Sequence, residues 1–174
     1  MITLVSDILK LSKLDENASL PEREPVELYS LSRDVLDSLA AVAARQEVRL
    51  DLQGEPAEVT GIWQLLHEMI YNLCYNAIKY NRPGGSVTVT VENLAEAVRL
   101  TVADTGIGIP QAEQSRVFER FYRVDKSHSK RIGGTGLGLS IVKHGAQLHN
   151  ARLSLQSTPD AGTAVTLEFP PEKP

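Results

Sequence analysis

The chain has 174 residues, of which 42% are hydrophobic and 23% charged, so it can form one soluble domain with a real core. Its formal net charge of -4 argues against a nucleic-acid-binding surface, which is usually basic. The single cysteine, Cys74, excludes an internal disulfide and a C-x-x-C metal site. No apolar run approaches the roughly 18 residues that span a bilayer, and no signal peptide is visible, so we expect no direct membrane contact.

An amphipathic helix is predicted at the start of the chain, because Leu4, Ile8 and Leu11 recur at spacings of four and three. This helix is predicted to cover 1–17, and the Pro-containing stretch 18–24 is predicted to be a linker. A separate domain over 25–172 is predicted to follow. Its first elements are, in order, a strand at 25–29, a helix at 30–46, and strands at 48–52 and 57–60.

The clearest helix is predicted over 61–80, where apolar side chains follow the helical period closely. The later elements are, in order, strands around 87–91 and 98–102, an irregular segment at 106–135, a helix at 135–149, and a hairpin of 153–156 with 163–169. This order predicts an α/β fold, a two-layer sandwich with helices on one face of a mixed, mostly antiparallel sheet.

The predicted helix 61–80 also carries a polar edge. Asn72, Asn76 and Lys79 lie at spacings of four and three, and Glu68 lies one turn earlier. An asparagine oxygen can ligate magnesium, and a lysine supplies positive charge to phosphate oxygens. The edge therefore suits a metal-bound polyphosphate, although a solvated helix face would look the same when taken alone.

Asp104 begins the motif D-T-G-I-G-I-P at the end of a predicted strand. It has the same parity as Val102 and the other apolar residues of that strand, so its side chain should point inward and need a donor. The amino group of a bound purine would be such a donor. Gly106 and Gly108 would allow a close backbone approach. The alternative is an aspartate-containing turn after a strand.

Two more motifs follow, V-F-E-R-F-Y-R-V-D-K at 117–126 and G-G-T-G-L-G-L-S at 133–140. In the first, Phe118 and Phe121 are predicted to pin a loop to the core, and Arg123 adds positive charge near the glycines. The alternative is a solvated amphipathic turn. The second motif precedes a predicted helix, whose free N–H groups and dipole suit an anion. Its spacing fits neither a P-loop nor G-x-G-x-x-G.

Together and in this order, the four motifs resemble the N, G1, F and G2 boxes of bacterial sensor histidine kinases. In this chain they read N-L-C-Y-N-A-I-K-Y, D-T-G-I-G-I-P, V-F-E-R-F-Y-R-V-D and G-T-G-L-G-L-S. The resemblance covers roughly 25–170. It implies the Bergerat-type ATP-binding fold shared with DNA gyrase, Hsp90-type chaperones and MutL, with a mobile lid over about 111–134.

By resemblance, Asp104 binds the adenine amino group and Asn76 ligates Mg²⁺ together with the ATP phosphates. Asn72, Lys79 and Arg123 are the implied catalytic residues, with Arg123 contacting the γ-phosphate. The residues implied to bind nucleotide are Asn72, Asn76, Lys79, Tyr80, Asp104, Gly106, Gly108, Ile109, Arg123, Gly134, Thr135, Gly136, Leu137 and Gly138.

An acceptor histidine for such a kinase is not found in the sequence. The four histidines are His67, His128, His144 and His149. Only His67 is followed by an acidic residue, and Tyr71 stands where the family usually has proline. The opening segment resembles the end of the second helix of the family's dimerisation hairpin. We therefore expect a fragment of a longer receptor, a homodimer anchored in the bacterial membrane with this domain in the cytoplasm.

The main hypothesis is the catalytic domain of a two-component histidine kinase, with ATP and Mg²⁺ as ligands. Its expected partners are a histidine-bearing dimerisation domain and a response regulator. A second hypothesis is a nucleotide-dependent binding module without phosphotransfer. A third is a hydrolytic ATPase, which Asn72 argues against, because the ATP-hydrolysing relatives have at this position a glutamate that activates water, and an asparagine cannot act as that base.

Overall fold

The computed structural model describes residues 21–124 and 135–171. The predicted opening helix at 1–17 and the last part of the predicted lid, 125–134, lie outside these residues. The helices and strands are, in order, β1 (Glu24–Glu27), α1 (Leu28–Arg45), β2 (Arg49–Gly54), β3 (Glu58–Gly61), α2 (Trp63–Lys79), β4 (Ser86–Leu94), β5 (Ala97–Asp104), α3 (Gln111–Gln114), α4 (Gly138–Leu148), β6 (Arg152–Thr158) and β7 (Gly162–Phe169).

Five strands form the main sheet, in the order β2-β4-β5-β7-β6. Only β2 and β4 are parallel, and the other three pairs are antiparallel. One face of the sheet is apolar because hydrophobic side chains alternate with polar ones along each strand. The buried side chains of this face include Val87, Val89, Val91, Val98, Leu100, Val102, Val165, Leu167 and Phe169. The predicted mixed, mostly antiparallel sheet is confirmed.

Helices α1, α2 and α4 cover the apolar face, which confirms the predicted two-layer sandwich. Helix α2 lies between the other two, and its buried side chains recur with the helical period. Those side chains are Leu65, Leu66, Met69, Ile70, Leu73, Cys74, Ala77 and Ile78. Within the described ranges, none of the helices has both the length and the apolar character needed to cross a membrane.

The start of α2 is held by His149, at the end of α4. The backbone N–H of Ile62 donates to Nε2 of His149 (3.0 Å), so Nδ1 carries the proton and donates to the Gly145 carbonyl (2.7 Å). The ring is 4% exposed and meets Phe169 edge-on. Burial lowers the pKa of His149 below its ordinary value, and Arg23 adds to this, although the bond to Gly145 opposes both. His149 therefore joins two helices as a neutral side chain.

Some predicted helix bounds were wrong by two or three residues. Helix α4 begins at Gly138 rather than at 135, because Gly136 has φ of 72°, a left-handed conformation that an α-helix cannot contain. Helix α2 begins at Trp63 rather than at 61, because Gly61 is the last residue of β3 and pairs with Glu24 of β1.

Candidate nucleotide-binding site

The polar edge of α2 lies at the border of the core, not in open solvent. Asn72, Asn76 and Lys79 are each half-buried. The side-chain amide of Asn72 donates to the Glu68 carbonyl (2.9 Å), which fixes its orientation. A Cβ atom placed on Gly138 would lie 2.8 Å from Oδ1 of Asn72, so the start of α4 reaches α2 only because residue 138 has no side chain.

Asp104 extends the buried row of β5 and is half-buried, as its parity predicts. Burial raises the pKa of its carboxyl above the ordinary value, and hydrogen bonds from the backbone of Gly106 (2.8 Å) and Thr163 partly offset this. A carboxylate oxygen accepts more than one hydrogen bond. Asp104 can therefore accept a further donor from a ligand.

The turn that follows Asp104 packs against the end of α2. The backbone N–H of Ile107 donates to the Tyr80 carbonyl (3.1 Å). A Cβ atom on Gly106 would lie 2.3 Å from that same carbonyl oxygen, which explains the glycine in the motif. This contact brings the carboxylate of Asp104 to the helix end that carries Lys79 and Tyr80.

The other side of this turn is fastened to the β6–β7 hairpin. The N–H of Ile109 donates to Oγ of Ser157 (2.8 Å), and the N–H of Asp160 donates to the Ile107 carbonyl (2.9 Å). The backbone of Gly108 lies against Thr158, where a Cβ atom would come within 2.1 Å of the carbonyl oxygen. The hairpin therefore supports the turn that positions Asp104.

Two supporting side chains are absent from the sequence prediction. The hydroxyl of Ser157 also donates to the Gly162 carbonyl (3.0 Å), and Nε2 of Gln114 bonds to the carbonyls of Ile109 and Ser157 (2.9 Å each). Neither residue belongs to a motif or to an apolar stripe. Their roles depend on contacts between segments more than 40 residues apart in sequence.

Positive charge is concentrated at the end of α2. Nζ of Lys79 lies 5.0 Å from the centre of the Tyr80 ring. Burial lowers the pKa of Lys79, and the nearby positive charge of Arg123 lowers it further. Burial raises the pKa of the Tyr80 hydroxyl, and Arg123 opposes this rise. Because Lys79 and Arg123 are close enough to affect each other, an anion placed between them would be stabilised.

The prediction that Phe121 pins the loop to the core was wrong. Its side chain is 57% exposed, and its φ of 63° turns the chain. Val117 is the buried residue of this segment, and Phe118 is half-buried. The segment is instead joined to the glycine-rich motif through the backbone, because the N–H of Phe121 donates to the Gly136 carbonyl (2.9 Å).

The start of α4 faces the polar edge of α2. Leu137 is buried and precedes the helix, and its N–H bonds to Oγ1 of Thr135 (3.4 Å). In the described part of the chain, no side chain caps the N-terminus of α4, so the first N–H groups suit an anion such as phosphate. Gly134 lies outside the described residues.

The described residues contain no group of three or more His, Cys, Asp or Glu side chains that could hold a metal ion. The polar side chains of the α2 edge could offer a divalent cation amide oxygens, beside oxygens from phosphate and water. Magnesium is commonly bound in this way, with few protein ligands and several from phosphate and water. The amide of Asn76, on the same edge as Lys79, fits that chemistry.

Comparison with known proteins agrees with this arrangement. The family described as histidine kinase-, DNA gyrase B- and HSP90-like ATPase matches residues 61–173. The chain belongs to this family of ATPase domains. Within it, the chain is 36% identical over 168 residues to the sensor-like histidine kinase SenX3 of Mycolicibacterium smegmatis, covering 96% of this chain and 44% of the relative. It is also 36% identical over 172 residues to the phosphate regulon sensor protein PhoR of Pseudomonas aeruginosa, covering 98% and 39%.

The solved structures are similar in fold. A mycobacterial sensor histidine kinase, MprB, matches with a TM-score of 0.76 and 30% identity over 84% of this chain and 97% of that one. Full-length ShkA in complex with AMPPNP matches with a TM-score of 0.83 and 26% identity, over 97% of this chain and 35% of that one. The expected catalytic ATP-binding domain of a sensor histidine kinase is confirmed. The chain spans less than half the length of these curated relatives.

Proposed function

We propose that this domain binds Mg-ATP and transfers the γ-phosphoryl group to a histidine on a dimerisation domain outside these residues. From there the phosphoryl group passes to an aspartate of a response regulator. The observation that supports this most is the contact between the turn after Asp104 and the end of α2, where Lys79 lies and where Arg123 adds positive charge. The acceptor at this helix end is complementary to the adenine amino group of ATP. The two cations are complementary to its phosphates.

In this proposal Asp104 accepts a hydrogen bond from the adenine amino group, beside the close-packed turn of Gly106, Gly108 and Ile109. The phosphates are bound by Lys79 and Arg123 and by the free N–H groups at the start of α4. The resemblance also assigns Asn72, Tyr80, Gly134, Thr135, Gly136, Leu137 and Gly138 to the nucleotide site. Asn76 would hold Mg²⁺, which neutralises phosphate charge when bound.

Catalysis by such a site consists of positioning and charge stabilisation. Arg123 and Lys79 stabilise charge on the transferred phosphoryl group, and Asn72 is held by its bond to the Glu68 carbonyl. Because an asparagine amide cannot take a proton from water, the site favours transfer over hydrolysis. The homodimeric, membrane-anchored parent and the cytoplasmic setting of this domain stay predictions.

The test places the histidine-bearing first helix of a dimerisation hairpin, with the beginning of its second helix, in front of residue 1 and adds radiolabelled Mg-ATP. We expect acid-labile, alkali-stable label on the chain, none when the hairpin histidine is glutamine, and much less at the same Mg-ATP concentration when Asp104 is asparagine. If ATP binds but no label appears, the domain is a nucleotide-dependent binding module. Phosphate release on the order of 1 per second would instead identify a hydrolytic ATPase.

A further inference from the structure

A cluster of three polar residues joins the end of α2 to the start of β4 and to the residue after Asp104. They are Asn81, Ser86 and Thr105, and we call them the polar junction. The side-chain amide of Asn81 donates to the Ser86 carbonyl (2.9 Å), and the backbone N–H of Thr105 donates to the same carbonyl (3.1 Å). The N–H of Ser86 donates to Oγ1 of Thr105 (2.9 Å), and that hydroxyl donates to Oδ1 of Asn81 (3.4 Å). Each residue of the junction is therefore bonded to both of the others.

The amide of Asn81 does more than shape the turn that follows α2. Its Oδ1 accepts the N–H of Arg82 (2.9 Å), and this bond alone would be an ordinary local contact of an asparagine in a turn. The donor side of the amide, however, reaches the first residue of β4. A Cβ atom on Gly85 would lie 2.1 Å from Oδ1 of Asn81, so the glycine leaves the space that this amide occupies. The segment N-R-P-G-G thus accommodates a bridge between two elements as well as a turn.

The turn after Asp104 is attached to the end of α2 on both sides of Gly106. On one side, the N–H of Ile107 donates to the Tyr80 carbonyl (3.1 Å). On the other side, Thr105 is held by the polar junction. Two segments can pivot about a single hydrogen bond, whereas a second attachment fixes their relative orientation. Because Asp104 directly precedes Thr105, the position of its carboxylate relative to α2 depends on both attachments.

We propose that Asn81 is a positioning residue of the nucleotide site, which acts through Thr105 to hold the carboxylate of Asp104 at the adenine amino group. This inference rests on the proposed function, because it needs Asp104 as the adenine contact. A preorganised acceptor binds more tightly, since less order has to be gained when the ligand arrives. Without the junction the turn keeps its attachment at Ile107, so we expect the domain to fold and to bind phosphates. It loses preference for a base that carries an amino group.

The experiment compares the affinities for Mg-ATP and for the magnesium complex of purine riboside triphosphate, which lacks the amino group. In the parent we expect ATP to bind about 10- to 150-fold more tightly, as a hydrogen bond to a charged group would give. Asn81→Ala and Thr105→Val each remove part of the junction and should lower this ratio about 3- to 10-fold. Their affinity for purine riboside triphosphate should stay nearly parental. Titration calorimetry gives both affinities.

Two further variants serve as controls for these changes. Thr105→Ser keeps the hydroxyl and should retain the parental ratio of affinities. Asn93→Ala removes an exposed asparagine at the other end of β4 and should change neither affinity. Circular dichroism and thermal unfolding confirm that each variant is folded at the temperature of the measurement.

A double substitution with Asp104→Asn separates positioning from general support of the fold. If Asn81 acts through Asp104, then Asn81→Ala should not lower ATP affinity further in the Asp104→Asn background, because the group that it positions is gone. Additive losses, or equal losses for the two nucleotides, would mean that Asn81 only stabilises the fold and would overturn the proposal.

The same measurements distinguish failure of this proposal from failure of the proposed function. A parent that binds both nucleotides equally would refute Asp104 as the adenine contact, and this proposal with it. If the parent prefers ATP and the ratio is unchanged in Asn81→Ala and Thr105→Val, the adenine contact stands and only the positioning role of Asn81 is refuted.

Discussion

A titratable side chain lies at each end of α2, one of them buried and the other half-buried. The two differ in how much of their hydrogen-bonding capacity is used within the protein. At the first end, both ring nitrogens of His149 have backbone partners, and the ring is 4% exposed. At the second end, Asp104 is half-buried, and burial raises its pKa even though two backbone N–H groups bond to it. His149 uses its full hydrogen-bonding capacity within the protein, whereas Asp104 keeps part of its capacity for a ligand.

This difference separates a structural group from a binding group better than the pKa shift does. Both shifts have burial as their largest cause. A burial shift alone therefore does not identify a functional residue, because both kinds of group show one. Asp104 has unused acceptor positions and lies near the cations Lys79 and Arg123. Both features favour its end of α2 as the ligand site.

The strongest test of the comparison is Asp104→Asn. We expect Mg-ATP affinity to fall by about 10- to 150-fold, the equivalent of the roughly 1.5–3 kcal/mol of a charged hydrogen bond. Stability without nucleotide should hold or rise at pH 7. A raised pKa makes the ionised carboxylate costly above that pKa, and the neutral amide removes this cost. Titration calorimetry and thermal unfolding measure the two effects.

Asp160→Asn is the control for this change. Asp160 lies on the adjoining β6–β7 hairpin, where it is exposed and forms an ion pair with Arg82. Its affinity should equal that of the parent. If Asp104→Asn binds Mg-ATP normally, or if it unfolds at a much lower temperature, then Asp104 is a structural residue like His149 and the comparison fails.

His149→Ala should show the opposite pattern to Asp104→Asn. The buried N–H of Ile62 loses its acceptor, so the free energy of unfolding should fall by about 1–3 kcal/mol. Mg-ATP affinity, measured well below the unfolding temperature, should change little because His149 lies at the far end of α2. Urea unfolding followed by circular dichroism gives the stability. A variant of parental stability would mean that the Ile62 hydrogen bond contributes nothing.

Gly106→Ala tests whether close packing is what brings Asp104 to α2. The added Cβ would lie 2.3 Å from the Tyr80 carbonyl oxygen, so we expect a loss of about 1–3 kcal/mol in stability and weaker Mg-ATP binding. Gly84→Ala is the control, because Gly84 also lies in a turn, the one before β4, but has nothing within 4 Å of the added Cβ. Its positive φ of 80° costs some stability, but its affinity should not change. Equal affinities in both variants would refute this role.

The pH dependence of stability should also report on His149. Because its pKa is lowered in the folded protein, the unfolded chain binds more protons near pH 6. Its contribution is complete above the ordinary histidine pKa of about 6.5 and is lost as the pH falls from there. In His149→Gln we expect a flatter decline in unfolding free energy between about pH 7 and pH 5. If the unfolding free energy of His149→Gln declines as steeply as that of the parent, other titratable groups cause the decline.

The smallest expected effect is that of Ser157→Ala. It removes the acceptor for the Ile109 N–H, which should cost about 1 kcal/mol in stability and weaken Mg-ATP binding a few-fold. Ser154→Ala, at an exposed position of the same strand, should stay within about 0.5 kcal/mol of the parent. Thermal unfolding and calorimetry again give the two values. If both variants behave alike, the hairpin does not support the site.

The features that could be predicted from the sequence are those that depend on the regular spacing of residues along one helix or strand. The apolar stripe of α2 and the inward parity of Asp104 follow from positions three, four or two residues apart, and both agree with the structure. The left-handed conformation of Gly136 and the exposure of Phe121 could not be predicted in this way. Neither could the roles of Ser157 and Gln114. These depend on backbone geometry or on contacts with distant segments, which no periodic pattern records.

The antiparallel pairing of β1 with β3 has a mechanical consequence. It joins the entering chain at Glu24 to Gly61, two residues before the first turn of α2, over only four residue pairs. Tension on the incoming polypeptide is carried across these backbone hydrogen bonds to the base of the helix whose other end carries Asn76 and Lys79. Load applied at the chain's entry therefore reaches the start of α2 as well as α1, and the short length of β1 limits how much force the connection can withstand.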